Sequence, residues 1–137
     1  MKSYDENEYL RWESEVRNYE IDYQGIVGNA IYFNYLDEAR AKYLQQLDVS
    51  VVKYALENKN IVLVKTDINF KRSLRYGDSF CVLSKLSRIS RFKFLFDQTI
   101  ILKSSDQIMV TAESVIACVN REGKPCAIDQ FEHMPFN

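Results

Sequence analysis

Residues 29–47, NAIYFNYLDEARAKYLQQL, set the reading of the whole chain. Tyr32, Leu36, Ala39, Tyr43 and Leu47 recur at spacings of four, three, four and four, which stacks them on one face of an α-helix. Phe33, Tyr35 and Leu44 widen that apolar stripe. Asn34, Asp37, Glu38, Ala41, Lys42 and Gln45 fall on the other side, where Glu38 and Lys42 make a favourable i,i+4 pair. Asn29 is a favoured N-cap, and Gly25 and Gly28 bracket the loop before it. A helix this apolar needs a sheet wrapped around it.

The sheet is legible on either side of the helix. Residues 8–20 carry Tyr, Trp and Val among charges and read as a first, partly exposed strand. A short helix is expected from Val51 to Asn58. From Ile61 the period changes to two: Val62, Val64, Thr66, Ile68 and Phe70 alternate with Leu63, Lys65, Asp67 and Asn69, as a half-buried strand requires. Further strands run from Phe80 to Ile89, from Phe92 to Leu102 and from Ile108 to Val119. Tyr76-Gly77-Asp78, Ile89-Ser90-Arg91 and Ser104-Ser105-Asp106 separate them as turns, and Gly123 and Pro125 close the last. Connections this short favour antiparallel pairing, so the expected class is α+β, one sheet packed on one main helix.

Composition bounds the function. A chain of 137 residues fits one domain, 1–137, with a core that needs no metal or disulfide staple. Net charge of -1 gives no general nucleic-acid or membrane footprint. The longest uncharged stretch, the 14 residues from Tyr23 to Leu36, is too short and too polar to span a bilayer. The charged start MKSYDENEYL has no apolar h-region, so no signal peptide is expected and the setting reads as cytoplasmic. Cys81, Cys118 and Cys126 are an odd number without CxxC spacing, which argues against a disulfide framework and against a zinc site. Cys81 and Cys118 read as small buried hydrophobes. The single histidine, His133, reads as a solvated tail group, so any acid–base work falls to carboxylates.

The loop from Tyr19 to Asn29 is where chemistry could sit. Asp22 follows a strand and precedes Gly25, a residue suited to a backbone conformation that side chains resist. The free N–H groups at the start of the long helix form a cradle for a developing oxyanion. A carboxylate just before such a helix start suits acyl transfer or ester hydrolysis. The same residues also read as a turn Asp and a capping Asn with no chemistry. Glu20 either shares a face with Asp22, raising its pKa by like-charge repulsion, or is a surface residue. Tyr19 and Tyr23 flank the loop, to pack or to line an acyl pocket.

The run from Tyr19 through Asp22, Gly25-Ile26-Val27-Gly28-Asn29 and Tyr32 to Asp37-Glu38-Ala39-Arg40 and Tyr43-Leu44 resembles the hotdog-fold acyl-CoA thioesterases of the 4-hydroxybenzoyl-CoA thioesterase type. Their signature is an Asp, two residues, Gly-hydrophobe-Val and a step to a Tyr on the central helix. Phe70 to Asp78, FKRSLRYGD, is similar to the segment after the family's second strand. The resemblance implies a hotdog fold, and a thioester hydrolase that needs no cofactor or metal beyond its coenzyme A thioester. It implies that Asp22 activates water or attacks the carbonyl. Asn29 then marks the helix start whose N–H polarises that carbonyl, and Gly25, Val27, Gly28 and Tyr32 lie against substrate. Many members of a related branch have His where Asn29 stands.

Coenzyme A carries phosphates, and Lys71, Arg72 and Arg75 place three cations within five residues. Arg72 and Arg75 are the candidate phosphate ligands, with a solvated strand end as the alternative. Arg88, Arg91 and Lys93 cluster near another turn. The resemblance also implies a homodimer, often doubled to a tetramer, and pairing with a second copy would remove an open sheet edge. Two other readings stand beside the hydrolase. A hotdog hydratase or dehydratase is disfavoured because such enzymes usually use a histidine near the helix. A non-catalytic acyl-CoA-binding module would leave Asp22 replaceable. A carrier-protein thioester would need the same chemistry. The aromatic residues Tyr32, Phe33, Tyr35 and Tyr43 read as core or as an aryl or medium-chain acyl pocket.

Overall fold

In a computed structural model, which describes residues 9–136, five strands form one antiparallel sheet around a central helix. The chain runs through β1 (Leu10–Glu15), a 3-10 turn (Asn18–Glu20) and α1 (Asn29–Gln46). It continues through α2 (Val51–Leu56), β2 (Asn60–Phe70), β3 (Ser79–Arg88), β4 (Lys93–Leu102), β5 (Ile108–Val119) and α3 (Asp129–Glu132). The strand order is β1-β3-β4-β5-β2, so β1 and β2 are the two edges. This is the expected α+β class. The first strand is shorter than the expected 8–20, because Val16 pairs instead with the β2–β3 connection and the chain then tightens into the 3-10 turn.

α1 begins at Asn29 as its pattern requires, but Gly28 occupies the N-cap and no side chain caps the helix. Asn29 is therefore the first helical residue and does not cap. Tyr32, Leu36 and Ala39 are buried as expected, and Tyr35 and Leu44 join them, whereas Tyr43 and Leu47 are half-buried and Phe33 is exposed. The first half of the helix packs on Phe80, Val82, Ile100 and Val110. Leu44 belongs to a second cluster with Phe94, Phe96, Ile116, Ile128 and Phe131, which the C-terminal segment closes. α2 stops at Leu56, two residues short of expectation, where Asn58 takes a positive φ.

β2 departs from the half-buried reading. A bulge between Leu63 and Lys65 breaks the alternation, and Val62, Leu63 and Val64 are 37%, 50% and 53% exposed along an open edge. β3, β4 and β5 alternate only in part: Phe80, Val82, Ile100, Val110 and Ala112 pack with α1, while Cys81, Leu83 and Ile101 form a second buried cluster, so β3 is buried without a break from Phe80 to Ser84. Among the described residues no helix is long and apolar enough to cross a membrane.

Candidate active site

The site is a tight loop laid against the start of α1. The Asp22 N–H donates to Ile26 O at 2.9 Å and the Gly25 N–H to Asp22 O at 3.0 Å, closing a three-residue turn in which Gly25 takes φ 79°. That positive φ is why glycine stands there. The Gln24 N–H donates to Asp22 Oδ1 at 2.8 Å, which fixes the carboxylate within its own loop while leaving the residue exposed. Ile21 bridges to Val27, and the chain enters α1 through Gly28. The Ile31 N–H is taken by Gly28 O at 3.0 Å, so the donor end near the oriented carboxylate falls to the N–H groups of Asn29 and Ala30, which precede any intrahelical acceptor.

Glu20 fixes the near side of this loop. It is 8% exposed, and its Oε1 accepts the Arg17 N–H at 2.8 Å and the Tyr35 hydroxyl of α1 at 2.8 Å. The Arg17 guanidinium stands 3.5 Å from Oε2, and the Gly28 N–H reaches Glu20 O at 3.4 Å. Glu20 is thus neither a surface residue nor on a strand with Asp22: the 3-10 turn rotates it inward onto the helix. Burial and the adjacent Glu20 charge push the Tyr35 phenol well above its ordinary value, so Tyr35 is a constant hydrogen-bond donor at neutral pH. A cleft of about 450 Å3 opens beside this pair, between β1 and α1, lined by Trp12, Tyr19, Asn34 and Glu38.

The basic segment is held on the far side. The Val27 N–H donates to Leu74 O at 2.9 Å, the Leu74 N–H donates to Tyr32 Oη at 2.9 Å, and Ile26 bridges to Arg75. Tyr32 is 2% exposed, its hydroxyl oxygen accepting from the Leu74 N–H, and burial raises its pKa above the ordinary phenol value. Within this chain it holds the loop from inside the core, as does the Val27 side chain. Arg75 is exposed beside the Asp22 loop. Arg72 is exposed further back, its N–H donating to Met109 O.

Tyr19 and Tyr23 stay beside the Asp22 loop, 75% and 95% exposed, and Tyr19 lines the cleft next to Glu20, so neither packs into the core. Other candidates separate from the site. Arg88 stacks on Phe94 and Phe136 and donates to Phe131 O, and Arg91 pairs with Glu132 at 3.0 Å, so these two serve the C-terminal segment. His133 is exposed at the end of α3, on that same segment, away from the Asp22 loop. Among the described residues no group of His, Cys, Asp and Glu is placed to hold a metal ion. The sequence reading names Glu20 and Tyr35 separately and misses the hydrogen bond that joins them. A tyrosine one turn beyond Tyr32 on the apolar face, with a carboxylate before the helix, is the only signal that could have found it.

Comparison with known proteins gives a family and a shared fold. A family model described as "Thioesterase-like superfamily" matches residues 16–134. The chloroplastic acyl-acyl carrier protein thioesterase ATL3 of Arabidopsis thaliana is 26% identical over 122 residues, covering 89% of this chain. The chain spans 64% of that relative's length. The long-chain acyl-CoA thioesterase FadM of Escherichia coli is 27% identical over 111 residues, 81% of this chain and 83% of FadM. The crystal structure of the Synechocystis 1,4-dihydroxy-2-naphthoyl-CoA thioesterase Slr0204 superposes with TM-score 0.84 at 21% identity, covering 88% of this chain and 89% of that one. That last likeness is one of fold.

Proposed function

The chain belongs to the thioesterase-like superfamily, and on that premise we propose that it hydrolyses acyl-CoA thioesters to free acid and coenzyme A. One observation carries the reading: Asp22 is oriented by its own turn at the uncapped start of α1. A thioester carbonyl placed over that helix start would have its oxygen polarised by first-turn N–H groups at Asn29, a role that does not depend on the side chain there. Asp22 takes the proton from an attacking water, or itself attacks to give an anhydride that water then cleaves. In either route the tetrahedral oxyanion forms at the helix start, the C–S bond breaks, and the thiolate leaves as a good leaving group. No metal is required for so activated an acyl group. Arg75 and Arg72 lie where an anionic nucleotide tail could run along the surface.

The same reading takes the active unit as a homodimer in the cytoplasm. Its support is the open β2 edge with Val62, Leu63 and Val64 exposed, a surface that strand pairing with a second copy would cover. Sedimentation of the full chain tests the assembly. For the chemistry, thiol release is measured from short, medium, long and aryl acyl-CoAs, with wild type beside Asp22→Asn. Turnover that collapses in the variant, with fold and oligomer intact, supports the reading and names the acyl class. Turnover untouched by the substitution refutes Asp22 as catalyst, and no turnover with any substrate refutes the activity in favour of a binding module or a carrier-protein thioester. In single turnover in heavy-oxygen water, label on Asp22 establishes direct attack, since general-base catalysis puts the label only in the product acid.

A further inference from the structure

We propose that Cys118 and Cys126 form a reversible dithiol–disulfide pair that, when oxidised, staples the C-terminal segment to β5. The two residues face each other across a hairpin that continues β5. The Cys126 N–H donates to Cys118 O at 3.0 Å, Val119 bridges to Pro125, and the Asn120 N–H donates to Lys124 O at 2.8 Å around a turn with Gly123 at φ 80°. Residues directly opposite in such a pair have Cα atoms about 5.5 Å apart, inside the span a disulfide bridges. The side chains use that opportunity, with the two Sγ atoms 2.8 Å apart as free thiols. Cys81 sits in a different cluster, with Leu83 and Ile101, and takes no part.

The chemistry distinguishes the two sulfurs. Cys118 is 1% exposed, and burial together with its neighbour holds the thiol up at about 12. Cys126 is half-buried and open to a small oxidant. Lys59, paired with Asp129 at 3.2 Å, lies beside the pair, and at Cys118 its charge and that of Asp129 oppose each other, so burial decides the state of that thiol. With hydrogen peroxide as oxidant, the Cys126 thiolate attacks one oxygen, forming a sulfenic acid and releasing hydroxide. Cys118 sulfur then attacks the Cys126 sulfur, the S–O bond breaks, and the thiol proton leaves with the second hydroxide as water. Two thiols lose two electrons and two protons in total, and one peroxide becomes two waters. A dithiol reductant reverses it. Pairs of this kind in reducing compartments are characteristically transient and redox-sensing.

The mechanical consequence follows from what Cys126 begins. The segment after it supplies Ile128, Phe131 and Phe136 to the cluster around Leu44 and Phe94. A covalent tie at its root narrows the open states that segment can visit.

The test uses the full chain, treated with hydrogen peroxide and then quenched. Titratable thiols should fall from three to one, intact mass should drop by two hydrogens, and proteolytic mapping should recover the Cys118–Cys126 linkage. Cys81→Ser should oxidise like wild type, and Cys126→Ser should retain both remaining thiols. Amide exchange over residues 120–134 should slow by roughly tenfold on oxidation and recover with dithiothreitol. Cys118→Val, which preserves core volume, controls for a Cys126→Ser chain that folds poorly. The proposal fails if Cys126 stops at sulfenic or sulfinic acid, if the linkage joins Cys81 or a second chain, or if exchange over the segment does not change.

Discussion

Tyr35→Phe isolates the contact that ties the loop to the helix. The substitution removes one oxygen from a side chain 2% exposed and keeps the ring packed on Phe80, 4.4 Å away. What is lost is the 2.8 Å hydrogen bond to Glu20 Oε1, whose carboxylate is 8% exposed. A hydrogen bond to a charged, desolvated acceptor contributes about 1.5–3 kcal/mol. Oε1 keeps the Arg17 N–H at 2.8 Å, and Arg17 remains near Oε2, so the lower half of that range applies, about 1.5–2 kcal/mol. For a chain of this size that lowers Tm by about 5–8 °C. The pH dependence gives a second, independent reading. The Tyr35 ionisation is raised above 10.0, first by burial and then by Glu20, so its stabilising effect is complete below the unfolded value. It is lost as pH rises beyond that value toward the folded one, with a limiting slope of about 1.4 kcal/mol per pH unit. Phenylalanine has no such proton, so the deficit of the variant should shrink above about pH 10. Urea denaturation of both proteins at neutral pH and at about pH 11 measures this directly. A Tm within one degree of wild type, or a deficit that stays constant across that range, refutes the coupling of Tyr35 to Glu20.

The other predictions concern two more supports of the site and an ion-pair group on β1. Tyr32→Phe leaves the Leu74 N–H, on a residue 0% exposed, without its 2.9 Å acceptor, and should cost about 1–3 kcal/mol by denaturant titration, with faster amide exchange over 72–76. Gly25→Ala meets no atom within 4 Å of its new Cβ, so its cost of about 1–2 kcal/mol is backbone strain at φ 79° alone, and it should lower thioester turnover by displacing Asp22. Glu13, held by Arg11 at 2.7 Å and Lys103 at 2.8 Å, should titrate at about 2 by carboxyl NMR. Its contribution is present above the ordinary carboxylate value and lost as pH falls toward 2, and Arg11→Ala should raise the midpoint.

The parts of this protein legible in its sequence are those whose cause is local. The start of α1 at Asn29, the turns at Gly77 and Asp106 and the spans of β3 to β5 follow from periodicity and turn chemistry within a few residues. Asp22 belongs with these, because its loop is closed by Gly25 and Ile26. Glu20 was not legible, since burying a carboxylate depends on a donor fifteen residues away on another element. The exposure of β2 is likewise a property of topology: nothing in NIVLVKTDINF says that β5 will lie on one side and no strand of the same chain on the other. Asn29 misled for the opposite reason. Its type suits an N-cap, but Gly28 already has the extended backbone that a cap needs, and the helix starts one residue later.

The two long-range ties meet at the Asp22 loop from opposite sides, and that arrangement bears on how the site keeps its shape. Tyr35 reaches Glu20 before the loop, and Tyr32, one turn earlier on the same helix face, reaches Leu74 beyond it. The rings pack edge to face 6.1 Å apart, so neither hydroxyl can shift without disturbing the other ring. The loop is therefore registered on α1 through two phenols that are themselves core residues, while Asp22, Tyr19 and Tyr23 stand exposed at its tip. Tyr32 also packs on Phe70, 5.6 Å away, the last residue of the open β2 edge. Movement of that edge reaches the loop through one ring. The proposed second copy, covering the β2 edge, would hold Phe70 against Tyr32 and through that ring support the loop.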